Sequence, residues 1–200
     1  MATKRCKLPY RDSVGIMLLN RLGQVWVGRR LPKWQIDRSR HSWQMPQGGI
    51  FKKEKIKQAA LRELREEVGT KNVEVLAKSA NWLTYDLPNK LIGEALGGKF
   101  RGHRYKWIAM RFLGADDEID ISNKNGYPAE FDEWRWVDID EVADLGFSFR
   151  REVYEQVVNE FSQYAMVSSE TRNHKKIFDR IRSDFFSSKF RLLDSNMSQQ

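Results

Sequence analysis

Glu63, Glu66 and Glu67 lie in the stretch ALRELREEVG, from Ala60 to Gly69, whose residue types favour a helix. On an α-helix each residue turns by about 100°, so positions i, i+3 and i+4 project from one sector and three carboxylates crowd together. A hard divalent cation with oxygen ligands, Mg²⁺ or Mn²⁺, relieves that repulsion; it retains waters and takes up substrate phosphate oxygens. Cleavage of a phosphate chain is the chemistry this suggests. The competing reading is a solvated helix face laced with ion pairs, Arg62 with Glu66 and Glu63 with Lys57 or Arg65. The flanks favour the metal site: Gly48 and Gly49 offer backbone that approaches an oxygen-rich ligand closely, Gly69 suits a C-terminal helix cap, and Glu54 lies early in the segment. Arg62 then reads as an orienter of the glutamates through charge-assisted bonds.

Such a cluster needs a helix docked on a core. Ala60, Leu61, Leu64 and Val68 form an apolar stripe beside the carboxylates, predicting a helix from about Lys55 to Val68. Val14 to Leu19 and Val25 to Arg29 read as a hairpin around the polar turn from Asn20 to Gln24. Trp43 to Pro46 is a short extended segment ended by the two glycines. Val73 to Leu76, Ala80 to Tyr85, Tyr105 to Phe112 and Trp134 to Val137 are further strands, with turn-prone residues between Asp86 and Gly102 and a helix from about Phe149 to Gln163. The fold class is α/β, with a mixed sheet between helices.

The chain has 200 residues, 40% of them hydrophobic, enough for one domain with a substantial core and a tail. No apolar run approaches the roughly 20 residues needed to cross a membrane, and the N-terminus lacks the pattern of a secretory signal. Cys6 is the only cysteine, which excludes an intrachain disulfide and a multi-cysteine zinc site; a cytoplasmic setting is expected. His41, His103 and His174 lack ligand spacing, so structural or solvent roles are expected of them. A net charge of +8 favours polyanionic partners.

From Gly48 to Thr70 the residues fit the pattern G-x5-E-x7-R-E-U-x-E-E-x-G-U, with U a bulky apolar residue, and the chain resembles the Nudix hydrolases. Only Thr70 departs, at a packing position. The resemblance covers about residues 10–164 and implies the Nudix α/β/α sandwich. The segments Trp43–Gly49, Trp82–Pro88, Glu130–Val137 and Ser148–Arg151 resemble those of bacterial RNA pyrophosphohydrolases and the related dinucleoside polyphosphate hydrolases. Two features depart from that pattern: Phe51-Lys52-Lys53 stands where a polar, glycine-containing turn is usual, and the loop from Pro32 to Arg40 is long.

The resemblance implies metal-dependent removal of pyrophosphate from the 5′ end of triphosphorylated RNA. The alternatives are cleavage of diadenosine polyphosphates or other nucleoside polyphosphates and, outside enzymes, a nucleotide-sensing module. It further implies Glu63, Glu66, Glu67 and Glu130 as metal ligands; the general base is Glu66 or Glu67, with Glu130 as competitor. Arg30, Ser42, Gly48, Gly49, Tyr85, Phe149, Arg150 and Arg151 are the implied substrate contacts, the two aromatics stacking on bases. Residues 165–200 form a basic tail in which Ile177, Ile181 and Phe185 repeat every four positions among Lys175, Lys176, Arg180 and Arg182. A helix is expected there, packing on the domain or a partner or touching RNA, with a disordered tail as the remaining reading.

Overall fold

The computed structural model describes residues 8–31, 43–122, 126, 128–146 and 148–166. The strands are β1 (Tyr10–Leu19), β2 (Val25–Arg30), β3 (Trp43–Gln44), β4 (Gln47–Gly49), β5 (Val73–Lys78), β6 (Leu83–Asp86), β7 (Gly102–Phe112) and β8 (Phe131–Val137). The helices are α1 (Ile56–Val68), α2 (Val142–Leu145) and α3 (Arg151–Ala165), with short 3-10 turns between elements.

Strand β1 is buried from Ser13 to Leu19, so its apolar run serves both faces of a sheet rather than alternating with solvent. It pairs in parallel with β7, from Tyr10↔Gly102 to Leu19↔Arg111. The main path runs β3-β2-β1-β7-β5, while β4 pairs with β1, β6 with β7 and β8 with β2. Alternate residues of the central strands feed two cores. Val14, Ile16 and Leu18 of β1 join Ile108, Met110 and Phe112 of β7 and the α1 residues Ala59, Ala60, Leu64 and Val68. Met17 and Leu19 join Tyr105, Trp107 and the α3 residues Val153, Tyr154, Val157 and Phe161. A sheet between helical layers is the α/β/α sandwich that the resemblance implies. Gly15 is needed at one of its closest contacts, since a Cβ there would sit 2.6 Å from the Trp107 ring.

Several strands extend beyond the apolar runs that announce them. β1 begins at Tyr10 and β7 at Gly102, because backbone pairing continues through Arg11, Asp12 and Arg104 although their side chains are polar. β6 starts only at Leu83; the carbonyls of Ser79 and Ala80 accept hydrogen bonds from Lys106 Nζ instead, at 3.0 and 2.8 Å. Thr70 is buried, and its hydroxyl accepts the Asn72 N–H at 3.1 Å, so the polar substitution satisfies its own turn. Among the described residues no helix is long and apolar enough to cross a membrane. The basic segment around Ile177, Ile181 and Phe185 lies outside the described residues, as do Ser42 and the loop from Pro32 to Arg40.

Candidate active site

Helix α1 buries Ala59, Ala60, Glu63, Leu64, Glu67 and Val68. These pairs recur every four residues, so Glu63 and Glu67 share the face that the core claims. Leu61, placed in the apolar stripe by sequence, is half-buried, and Ala59 occupies the core position instead. Gly69 ends the helix with φ 80°, and its N–H donates to the Arg65 carbonyl at 3.2 Å. Strand β4 runs beside the helix, where the Gln47 backbone N–H donates to Glu67 Oε2 at 2.9 Å. Gly48 is tighter still: a Cβ there would stand 1.9 Å from the Glu63 carboxyl carbon. Only glycine lets β4 pass this close to the carboxylate.

Arg62 ties the cluster together. Its Nε and Nη2 donate to the two oxygens of Glu54, each at 2.9 Å, Nη1 donates to Glu63 Oε1 at 2.7 Å and Glu66 Oε2 at 3.4 Å, and Nη2 also reaches the Gly49 carbonyl at 2.7 Å. The guanidinium lies 4.0 Å above the Phe51 ring. Its hydrogen bond to Glu54 holds that carboxyl below its ordinary range, whereas burial pushes Glu63 upward despite the same arginine, with Glu66 and Glu130 adding repulsion. Glu67 is raised further, by burial first and then by the charges of Glu130 and Glu63, against the Gln47 N–H and Arg30.

These carboxylates line one wall of a cavity of about 380 Å³. Arg11 and Arg30 line it as well, Arg30 Nη2 standing 3.9 Å from Glu130 Oε2. Arg150 is buried behind Tyr85 and Phe149, and its Nη1 donates to Gln44 Oε1 at 2.5 Å. Tyr85 and Phe149 meet at 5.4 Å between ring centroids; Tyr85 also packs on His103 at 5.5 Å and on Tyr105 at 5.8 Å. His103 shares a hydrogen bond with Ser13 Oγ at 2.8 Å. Burial, then the charges of Arg150, Arg11 and Arg30, push its pKa down to about 3, so the imidazole is neutral near pH 7.

The cavity thus brings together Arg30, Gly48, Gly49, Arg62, Glu63, Glu66, Glu67, Tyr85, Glu130, Phe149 and Arg150. Arg151 stands apart: it is exposed at the start of α3 and paired with Asp144 at 2.7 Å and Glu155 at 2.9 Å. Among the described residues, no three acidic or imidazole side chains already converge as a ligand set, and Glu63 and Glu66 each direct an oxygen to Arg62. The donor chemistry nevertheless suits a hard divalent cation. Glu63 and Glu67 are buried carboxylates raised by burial first and then by their acidic neighbours, and a cation beside them would offset both.

Arg11, Phe51, His103 and Tyr105 also line the cavity, although the sequence singles out none of them for the site. Arg11 and His103 are register partners on parallel strands, and His103 is the partner of Tyr85 across β6 and β7. The only sequence signal is the alternation His103-Arg104-Tyr105, which puts a histidine and a tyrosine on one face of a strand.

The NUDIX domain model matches residues 9–157. An RNA pyrophosphohydrolase of Afipia carboxidovorans is 46% identical over 158 residues, which cover 79% of this chain and 95% of that protein. Another, from Rhodospirillum rubrum, is 50% identical over 159 residues, covering 80% and 91%. Among solved structures, the E. coli dihydroneopterin triphosphate pyrophosphohydrolase is similar with a TM-score of 0.56 at 19% identity, over 76% of this chain and 99% of its own, a likeness of fold alone.

Proposed function

The chain belongs to the NUDIX family, and from that membership and the cavity we propose that it removes pyrophosphate from the 5′ end of triphosphorylated RNA. One observation carries the proposal: a single cavity joins a buried carboxylate cluster to an aromatic platform, with arginines lining it beside both. The curated relatives, matched over nearly their whole length, support RNA as the substrate.

Glu63, Glu66, Glu67 and Glu130 would hold a divalent cation, Mg²⁺ or Mn²⁺, which when bound would supply charge screening for the phosphates and activation of water. Arg62 holds Glu63 and Glu66 in place from one side, and its pairing with Glu54 keeps it from swinging away. Arg11 and Arg30 bind phosphate oxygens, which no neutral side chain could hold as strongly. Tyr85 and Phe149 stack on an unpaired base, with the Arg150 guanidinium 5.6 Å from each ring. Glu67, the most buried of these carboxylates, is the base that accepts the proton of the attacking water. Water oxygen bonds to phosphorus as the phosphoanhydride bond breaks, and no covalent link to the protein forms. A cytoplasmic site of action follows from the substrate.

Product analysis with triphosphorylated RNA and diadenosine tetraphosphate, at matched magnesium, tests this reading. Release of pyrophosphate and 5′-monophosphorylated RNA is expected. Turnover of the dinucleotide alone would reassign the substrate to small nucleoside polyphosphates, and tight binding without any turnover would make the protein a sensor.

A further inference from the structure

Phe51 is an exception to the burial of aromatic rings. It is 60% exposed, at the rim of the cavity that holds the carboxylates. A scattered apolar side chain on a surface needs no explanation, but this one is held in place. The Arg62 guanidinium lies 4.0 Å from its centroid on one face, and Arg62 is itself fixed by Glu54, Glu63, Glu66 and the Gly49 carbonyl. The turn beneath is closed twice, by the Phe51 N–H on Glu54 Oε2 at 2.9 Å and by the Glu54 N–H on the Phe51 carbonyl at 3.0 Å. Lys53 sustains φ 68° there without being glycine. One side of the ring is therefore held against a cation while more than half of the residue stays exposed.

We infer that Phe51 is a second nucleobase platform, taking a base beyond the one held by Tyr85 and Phe149 in substrates that carry two bases on one phosphate chain. The inference rests on the reading of the cavity as a polyphosphate site. A ring already oriented by Arg62 loses little further freedom when a base stacks on it, and every base has a π-face to offer. Lys52 and Lys53, both exposed, directly follow Phe51 in the chain and bring positive charge to the segment, which suits the phosphate joining two nucleotides. A nucleoside triphosphate has one base and leaves this platform empty. A triphosphorylated dinucleotide or diadenosine tetraphosphate fills it.

Two variants separate stacking from support of Arg62: Phe51→Leu keeps an apolar cover over the guanidinium but removes the π-face, and Phe51→Trp enlarges it. Equilibrium binding of a triphosphorylated dinucleotide, diadenosine tetraphosphate and ATP is measured for each variant, with turnover alongside. Phe51→Leu is expected to weaken one or both two-base ligands by about 5- to 10-fold while ATP is unchanged, and Phe51→Trp to restore or exceed wild-type binding. Weakening of the dinucleotide alone assigns the platform to RNA, and of diadenosine tetraphosphate alone to small dinucleotides. Equal effects on all three ligands, no effect on any, or wild-type binding of both two-base ligands no tighter than ATP would overturn the inference. Loss of the RNA reading is seen separately, as absence of pyrophosphate release with the binding difference intact.

Discussion

Arg62 and Glu54 form a two-point ion pair, Nε to Oε1 and Nη2 to Oε2, each at 2.9 Å, eight residues apart across the start of α1. Because the same guanidinium also holds Glu63 and the Gly49 carbonyl, its planar fork connects the glycine strand, the turn and the carboxylate edge. A lysine has the charge without the fork. Arg62→Lys is therefore expected to lower kcat by about 10- to 100-fold and stability by about 1–3 kcal/mol. Steady-state turnover and urea unfolding measure the two losses; unchanged kcat would show that the glutamates orient themselves.

Glu67→Gln tests the carboxylate cluster at its most buried member. The amide retains size and an oxygen to accept the Gln47 N–H, but it neither attracts a cation nor accepts a proton. Activity should fall on the order of 10²-fold or more, with thermal stability equal to or above wild type, since the charge removed is one that Glu63 and Glu130 repel. Turnover in excess chelator should vanish for wild type as well. A fully active variant would remove Glu67 from the chemistry.

The carboxylate helix was legible because its information is local: spacing along one helix puts Glu63, Glu66 and Glu67 in one sector beside an apolar stripe, whereas the burial of Glu63 and Glu67 comes from β4 packing against α1. Gly69 and the apolar partners of α1 follow from the same short stretch. Arg11, His103 and Tyr105 were not legible as site residues, because each depends on strand register. The parallel alignment of β1 with β7 places Arg11 beside His103 across 92 positions of sequence, and no periodicity within either strand specifies that alignment. Arg151 shows the converse. It adjoins Arg150 in sequence, yet one residue further along the chain starts α3 and its guanidinium goes to Asp144 and Glu155.

His103 should make the protein sensitive to mild acid. Ser13, Tyr85, Tyr105, Arg11, Arg30 and Arg150 surround it, and its folded pKa of about 3 lies below the ordinary 6.5. The unfolded chain therefore binds a proton through the window from about 6.5 to about 3 while the folded one does not. The stability linked to neutral His103 is fully present above the upper limit and is lost progressively as pH falls through that window. Urea midpoints at about pH 7 and about pH 5 should separate more for wild type than for His103→Gln, which keeps a hydrogen-bonding group near Ser13 but does not titrate. Equal separations would mean that the histidine is protonated in the fold.

Gly48→Ala is expected to separate activity from stability. An added Cβ would lie within 1.9–2.1 Å of the Glu63 carboxyl atoms, far inside van der Waals contact, so one of the two must move. The obstructed atoms are the end of a side chain, which a rotamer change can displace, while Gly48 itself is fixed in β4 opposite Val14. The fold should therefore survive with a loss of about 1 kcal/mol or less, and Glu63 should leave its hydrogen bond to Arg62. A carboxylate displaced by about 1 Å or more would no longer hold a cation in register with a phosphate chain, and kcat should drop by about 10²-fold. Thermal melting and turnover on the same preparation decide the matter. Retained activity would show that Glu63 has room to yield without consequence; a large fall in melting temperature with proportional loss of activity would instead place the strain in the backbone of β4.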